Sequence, residues 1–306
     1  MPRSVPKTTP DLWRFVSHSE LARLIRTARA EDLGPRGRDI TSELTVPRST
    51  QVRALMRSRA AGRLCGGALL REVARVYHRS INVQIAMPDG TPLEPGSIVA
   101  TFRGPLRAIL AMERVALNFA THLSGIATMT ARFAAVVAGT RAAICDTRKT
   151  HPGLRALEKY AVVCGGGQSH RFGLHDAILV KDNHLAQMRQ AHLGAVLGKV
   201  LARVRHLTPA PLFVEVEVDT LEQLREVLTI ARPARPDMVL LDNMTPHQMA
   251  QGVALRDQLA PGVLLEASGG ITLHNVRAIA ATGVDRISIG ALTHSAPALD
   301  IGLDIK

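Results

Sequence analysis

The chain has 306 residues, 46% of them hydrophobic, so it can bury a sizeable core and global disorder is excluded. Lys and Arg outnumber Asp and Glu by 38 to 26, a formal charge of +12, which asks for an anionic partner class. Only six Phe, two Tyr and one Trp accompany those cations, and no basic block concentrates them. No nucleic-acid partner is therefore expected, and a small phosphate or carboxylate substrate accounts for the charge more simply. No apolar run is long enough to span a membrane, and residues 1–10 lack the apolar stretch of a secretory signal. Cys65, Cys145 and Cys164 form no Cys-x-x-Cys pair, so a reduced, cytoplasmic protein without a structural zinc site is the expectation.

Taken in chain order, Leu21, Leu24, Ile25 and Ala28 predict an amphipathic helix over 19–30. Val52, Ala54 and Met56 give a weak strand signal, a helix follows over 67–78, and extended stretches cover 83–86 and 98–102 with turns at Pro88-Asp89-Gly90 and Pro95-Gly96. This α+β pattern makes 1–123 the expected N-terminal sandwich domain. Its last helix, 108–123, is apolar nearly all round and so is buried or lies in an interface. Arg114, Asn118 and His122 share one strip of it, readable as an exposed or locally paired edge or as a strip aimed at an anionic ligand.

Strand, loop and helix then alternate. Strands are predicted at 142–146, 177–181, 212–218, 238–242, 263–267 and 286–289, with helices at 221–231, 246–259 and 273–282. The fold class is α/β, with an incomplete parallel β/α barrel over 124–290 and a C-terminal segment, 291–306, returning to the N-terminal domain. A doubly wound open sheet is the alternative.

In a parallel barrel, chemistry collects at the carboxyl ends of the strands. All six predicted ends carry polar or Gly-rich clusters: Asp146 to His151, Lys181-Asp182-Asn183-His184, Glu215 to Asp219, Asp242-Asn243, Glu266 to Gly270, and Gly290-Ala291 with His294 beyond. Glu215, Glu217 and Asp219 alternate with valines, so period two turns the acids into the lumen and the valines toward the helices. Such carboxylates need Arg148, Lys149, Lys181 or a divalent metal among them. Ser268-Gly269-Gly270, opening into a helix near Leu273, outlines a phosphate cradle with Gly290-Ala291 as a second edge. The Cys164-to-Arg171 segment follows no predicted strand and reads as a flexible loop delivering His170 and Arg171; metal ligation by His170 and His175 is not expected.

With Asp146-Thr147-Arg148-Lys149-Thr150, the chain resembles the quinolinate phosphoribosyltransferase family. The resemblance extends from Glu31-Asp32-Leu33-Gly34 and Asp39-Ile40-Thr41-Ser42 through Glu113-Arg114, Leu123-Ser124-Gly125-Ile126-Ala127-Thr128, Gly165-Gly166-Gly167, His170-Arg171 and Lys181-Asp182-Asn183-His184. It continues through Glu215-Val216-Glu217-Val218, Leu241-Asp242-Asn243, Ser268-Gly269-Gly270 and Gly290 to Ser295. It implies phosphoribosyl transfer from phosphoribosyl pyrophosphate to quinolinate with decarboxylation, in the presence of Mg2+. It also implies a sandwich beside a seven-stranded open barrel, in homodimers with shared sites. By the same resemblance Arg114 reaches the neighbour's site, and Arg148, His170, Arg171 and Lys181 hold the quinolinate carboxylates. Lys149, Glu217 and Asp242 serve the phosphoribosyl and metal side, and Ser268, Gly270, Gly290 and His294 the terminal phosphate. Ser169 stands where the family usually has Asn, and Arg38 intrudes near the start. A related molybdenum-transport type matches less well, and an aldolase-like barrel with Lys149 or Lys181 forming a Schiff base is the enzymatic rival.

Overall fold

Ser17 opens the first long helix, His18–Leu33, accepting the Glu20 amide while the Glu20 carboxylate takes the Ser17 amide in return. In this computed structural model residues 10–185 and 193–306 are described; the 1–9 stretch, over most of which the absence of a secretory signal is expected, lies outside them. The described residues form two units. The first comprises residues up to Ala131 together with Thr150–Gly166 and Ala291–Lys306; the second comprises Arg132–Lys149 and Gly167–Gly290.

The first unit is built on a four-stranded antiparallel sheet in the order Ile301–Ile305, Gln51–Ser58, Ile98–Pro105, Asn82–Ile85. The chain's last strand thus pairs with its first long one, Ala54 opposite Ile305 and Ser58 opposite Ile301. Leu21 and Ile25 of the first helix and Leu69, Leu70 and Val73 of Gly67–Tyr77 are fully buried. Gly66 offers no side chain to cap that second helix, and Asp89 does so from a distance. Its Oδ1 accepts the Gly67 amide at 2.8 Å while its Oδ2 accepts the Tyr160 hydroxyl at 2.8 Å.

The helix expected over 108–123 runs instead from Leu106–Val137 without a break, so the expected boundary at 123/124 falls inside it. Ser124 and Gly125 look like helix breakers but serve packing. The Ser124 hydroxyl both accepts the Cys65 amide and donates to the Cys65 carbonyl, each at 3.0 Å. A Cβ at Gly125 would overlap the Pro297 carbonyl. On this helix Arg114 and Asn118 are exposed. A wide groove in the same unit, about 660 Å³, gathers part of the positive charge at Arg26, Arg29, Arg71, Arg75 and Arg79, none of them a motif residue. Among the described residues no helix is long and apolar enough to cross a membrane.

The second unit holds a six-stranded parallel sheet in the order Ala143–Cys145, Arg286–Ser288, Leu264–Ser268, Met238–Asp242, Val214–Val218, Ile178–Val180. Gln168 adds a single parallel bridge to Cys145, so the described barrel has six strands and a rudiment of a further one rather than seven full strands. The Gly-rich segment is correspondingly less free than its composition suggests. Gly165 ends the Arg155–Cys164 helix, and a Cβ there would stand 2.5 Å from both the Ala127 carbonyl oxygen and the Thr130 Cβ. Gly165→Ala is therefore expected to lower stability by about 1–3 kcal/mol through overpacking, read as a drop in the denaturant midpoint; an unchanged midpoint would mean the two helices can separate freely there.

Candidate active site

Register determines which side chains share the barrel interior. Glu215 pairs with Met238 and Glu217 with Leu240; Glu266 is level with Leu240 and Arg286, and Ser268 with Asp242. Residues level with one another in a parallel sheet point to the same face. Glu215, Glu217, Asp242, Glu266, Ser268 and Arg286 therefore project together, while Val216 and Val218 are buried on the other face. Glu215 and Glu266 are fully buried and Glu217 nearly so. Asp219, expected to join them, lies past the strand end and is exposed.

Two adjacent buried carboxylates would repel strongly without cations. His170 and Arg286 supply them. The His170 Nε2 lies 3.0 Å from Glu215 Oε2 and 3.3 Å from Glu266 Oε1, and the Arg286 Nε lies 3.1 Å from Glu266 Oε2. His170 is brought there by its backbone, whose amide donates to Asp146 Oδ1 at 2.9 Å just beyond the first barrel strand. Burial by itself would lower the imidazole pKa, but the hydrogen bonds and charges of Glu215 and Glu266 outweigh it and raise it to about 9. The Arg171 amide, 2.8 Å from Nδ1, favours a lone pair there and works against that rise. Burial and the charge of Glu266 push the Glu215 carboxyl up; Glu266 is held down, the bond and charge of His170, the charge of Arg286 and the bond of Ser288 overcoming its burial.

A cavity of about 240 Å³ reaches this cluster and is lined by Asp146, Thr147, Arg148, Lys149, His170, Arg171, Lys181, Asp242, Glu266, Ser268 and Ser288, together with Leu179 and Leu240. Arg148, Lys149, Arg171 and Lys181 outnumber the three lining carboxylates. Burial, then the neighbouring charge of Arg148, pushes the Arg171 guanidinium below its ordinary value, so these two cations crowd each other. The Lys181 ammonium forms an ion pair with Glu217.

Seven of the expected site residues thus share one cavity: Arg148, Lys149, His170, Arg171, Lys181, Asp242 and Ser268. Glu217 stands behind Lys181. Gly270 is in the following turn at φ +59°, and Gly290 follows the Arg286–Ser288 strand. Arg114 and His294 belong to the first unit and are both exposed, the His294 Nδ1 lying 2.7 Å from the Ser295 hydroxyl. The outlined phosphate cradle is corrected in one respect: the helix begins at Val276, not near Leu273, and the Thr272 and Val276 amides are bonded to Asn275 Oδ1 and the Thr272 carbonyl at 2.8 and 3.0 Å. What remains is the Gly269-Gly270 turn itself. Gly269, at φ +94°, lies so close to Asn243 that any Cβ would overlap its side-chain oxygen. His175 is exposed and takes no part in the His170 cluster. Asp146 and Glu266 were named in the strand-end clusters but given no role, and Arg286 and Ser288 were not singled out from sequence, although period two along the last two strands places Glu266 with Ser268 and Arg286 with Ser288.

These features define a β/α-barrel enzyme with a cationic pocket at its strand ends. Residues 39–124 match the quinolinate phosphoribosyl transferase N-terminal domain and residues 126–304 the quinolinate phosphoribosyl transferase C-terminal domain; the chain belongs to this family. It is 46% identical over 285 residues to the nicotinate-nucleotide pyrophosphorylase [carboxylating] of Mycobacterium leprae, covering 92% of this chain and 95% of that one. It is 38% identical over 290 residues to the probable nicotinate-nucleotide pyrophosphorylase [carboxylating] of Bacillus subtilis, covering 95% of each. The solved structure of the nicotinate-nucleotide pyrophosphorylase from Francisella tularensis superposes with a TM-score of 0.84 at 34% identity, over 95% of this chain and 98% of that one.

A group with a raised folded pKa stabilises the fold below its unfolded value and loses that contribution as pH climbs through the folded value. For His170 the window runs from about 6.5, the ordinary imidazole value, to about 9. Unfolding free energy is expected to fall across that window by up to about 3 kcal/mol, with the slope missing in His170→Gln. Parallel pH profiles for the two proteins in denaturant titrations would contradict the assignment.

Proposed function

We propose that the protein transfers the phosphoribosyl group of phosphoribosyl pyrophosphate to quinolinate with decarboxylation, giving nicotinate mononucleotide, pyrophosphate and carbon dioxide. The relatives named as carboxylating nicotinate-nucleotide pyrophosphorylases support this reading. The observation that carries it in this chain is the crowding of Arg171 against Arg148 in the cavity that Lys181 also lines. Two adjacent carboxylates on one planar ring would relieve that crowding, since guanidinium forks match carboxylates bidentately.

In the reaction the bond between ribose C1′ and the pyrophosphate oxygen breaks, positive charge develops on the ribose, and the quinolinate ring nitrogen forms the new bond to C1′. The bond to the carboxylate beside that nitrogen then breaks. Carbon dioxide leaves, and the electron pair left on the ring carbon is stabilised by the pyridinium until it is protonated. Arg148, His170, Arg171 and Lys181 hold the carboxylates in place, which is the protein's main contribution to that step. Glu217 or Asp242 faces the developing charge on the ribose, and Lys149 serves the phosphoribosyl side. Ser268, Gly270 and Gly290 take the terminal phosphate. Glu217 and Asp242 are hard oxygen donors on neighbouring strands facing one side, a donor set that suits Mg2+. When bound, Mg2+ neutralises pyrophosphate charge. A Schiff-base mechanism is disfavoured at Lys181, whose ammonium is engaged by a carboxylate.

We also infer a homodimer in which Arg114, exposed on a largely apolar helix, completes the neighbour's site, and a cytoplasmic setting in keeping with three free, buried cysteines.

Mixing the protein with quinolinate, phosphoribosyl pyrophosphate and Mg2+ is expected to yield nicotinate mononucleotide, and excess chelator to stop it. Nicotinate, lacking one carboxylate, should turn over with kcat/KM at least about tenfold lower; equal use of both acids would contradict the cation assignment. Arg114→Ala should retain the fold and lose more than about tenfold in turnover. Mixed with an inactive Arg148→Ala variant, it should regain part of the activity, because each mixed dimer holds one intact site. No recovery after verified subunit exchange would confine Arg114 to its own subunit.

A further inference from the structure

Three groups of metal-capable side chains occur among the described residues. One, His170 with Glu215 and Glu266, belongs to the pocket described above. In the second, Cys65, Cys164 and Asp89, the carboxylate is already taken by the Gly67 amide and the Tyr160 hydroxyl, and burial drives the Cys65 thiol well above its ordinary pKa, so no thiolate is offered. The third lies wholly in the first unit and has no part in the proposed transfer: His122 from the Leu106–Val137 helix, His151 from the loop after Thr150, and Glu158 from the Arg155–Cys164 helix.

Its geometry is convergent. His122 Nε2 lies 2.9 Å and His151 Nδ1 2.6 Å from the same oxygen, Glu158 Oε1, while Glu158 Oε2 accepts the His151 amide at 3.1 Å. The two rings meet edge to face at 5.4 Å. One donor atom from each residue lies within 4.8 Å of the others. Glu158 has no exposed side-chain surface, yet its pKa is lowered, because the bonds from the two histidines overcome the penalty of burial. A buried, ionised carboxylate between two imidazoles is the donor set of a borderline divalent ion: metal bonds of about 2.0–2.2 Å would separate the donors by about 3.3 Å, so that each ring draws back by less than about 1 Å from its present 2.9 or 2.6 Å. The His151 side chain is 49% exposed, so solvent can fill the remaining coordination position.

We propose that His122, His151 and Glu158 form a binding site for one divalent ion of the zinc class, through His122 Nε2, His151 Nδ1 and the Glu158 carboxylate. On binding, each ring gives up to solvent the proton it donates to Glu158 and carries its remaining or re-acquired proton on the other nitrogen, so the ion replaces two hydrogen bonds with coordinate bonds. The site ties the loop following Thr150 to the two helices and stabilises the folded chain by linkage. Nitrogen donors distinguish it from the oxygen-rich Mg2+ set of the transfer reaction.

The test uses the full chain stripped with chelator and held in excess Mg2+, titrated with Co2+ and read by visible d–d absorption and thermal melting. The expected result is one Co2+ per chain, displaced by Zn2+, and a melting temperature raised by either ion. His151→Ala should lower the metal-free melting temperature, because the buried Glu158 carboxylate loses a partner, and should also lose at least about tenfold in affinity and the metal-induced rise. His122→Ala should do the same, and His175→Ala, altering an exposed histidine outside the group, should bind as the parent does. The absence of a Co2+ spectrum in the parent, or parental affinity in His151→Ala, would overturn the proposal. If His122→Ala fails to fold, His151→Ala decides alone.

Discussion

Two carboxylates, Glu215 and Glu266, lie side by side with no exposed surface in the interior of the barrel, and everything at the site depends on how their charge is balanced. Removing an ionised carboxylate from water costs several kcal/mol unless it is paired. His170 bridges the two and Arg286 closes the far side of Glu266. Because His170 and Arg286 offset these acids, the cations lining the cavity, Arg148, Lys149, Arg171 and Lys181, are left in excess over its three carboxylates. That excess gives a protein with few aromatic residues a pocket for a compact polyanion.

The arrangement also explains why the segment before His170 takes the course it does. Gly165 lets one helix end against another without a side chain between them, Gln168 then runs beside the first barrel strand, and Asp146 accepts the His170 amide. Three local constraints therefore set the position of one imidazole. At the neighbouring strand ends, the Asn243 amide donates to the Ser268 carbonyl at 3.0 Å, so the carboxylate of Asp242 and the glycine turn are fastened to one another.

Much of this was legible in the residues. Alternation of Glu215, Val216, Glu217 and Val218 placed the acids inside because a period of two leaves no other choice when helices cover the outer face. The clusters at the strand ends marked the pocket for the same topological reason. What escaped was of longer range. The partners of the inward acids, Arg286 level with Glu266 on the adjoining strand and His170 on a loop, are matters of sheet order and chain path, which local pattern does not encode. The Leu106–Val137 helix runs past its expected end through Ser124 and Gly125, whose purpose, a bond to Cys65 and room for Pro297, lies far along the chain. The pairing of His122 with Glu158 is invisible for the same reason. The helix end assigned to the glycine turn failed because Asn275 Oδ1 takes the Thr272 amide and the Thr272 carbonyl takes the Val276 amide.

The account rests on His170 being the cation that offsets Glu215 and Glu266, against the pull of the Arg171 amide toward the neutral ring. Nitrogen-15 and proton NMR of the ring, with the His170 signals assigned by comparison with His170→Gln, tests this directly. A doubly protonated imidazole through neutral pH, titrating near the raised value of about 9, is the predicted result. A neutral ring carrying its proton on Nε2 at pH values from about 6.5 upward would contradict it.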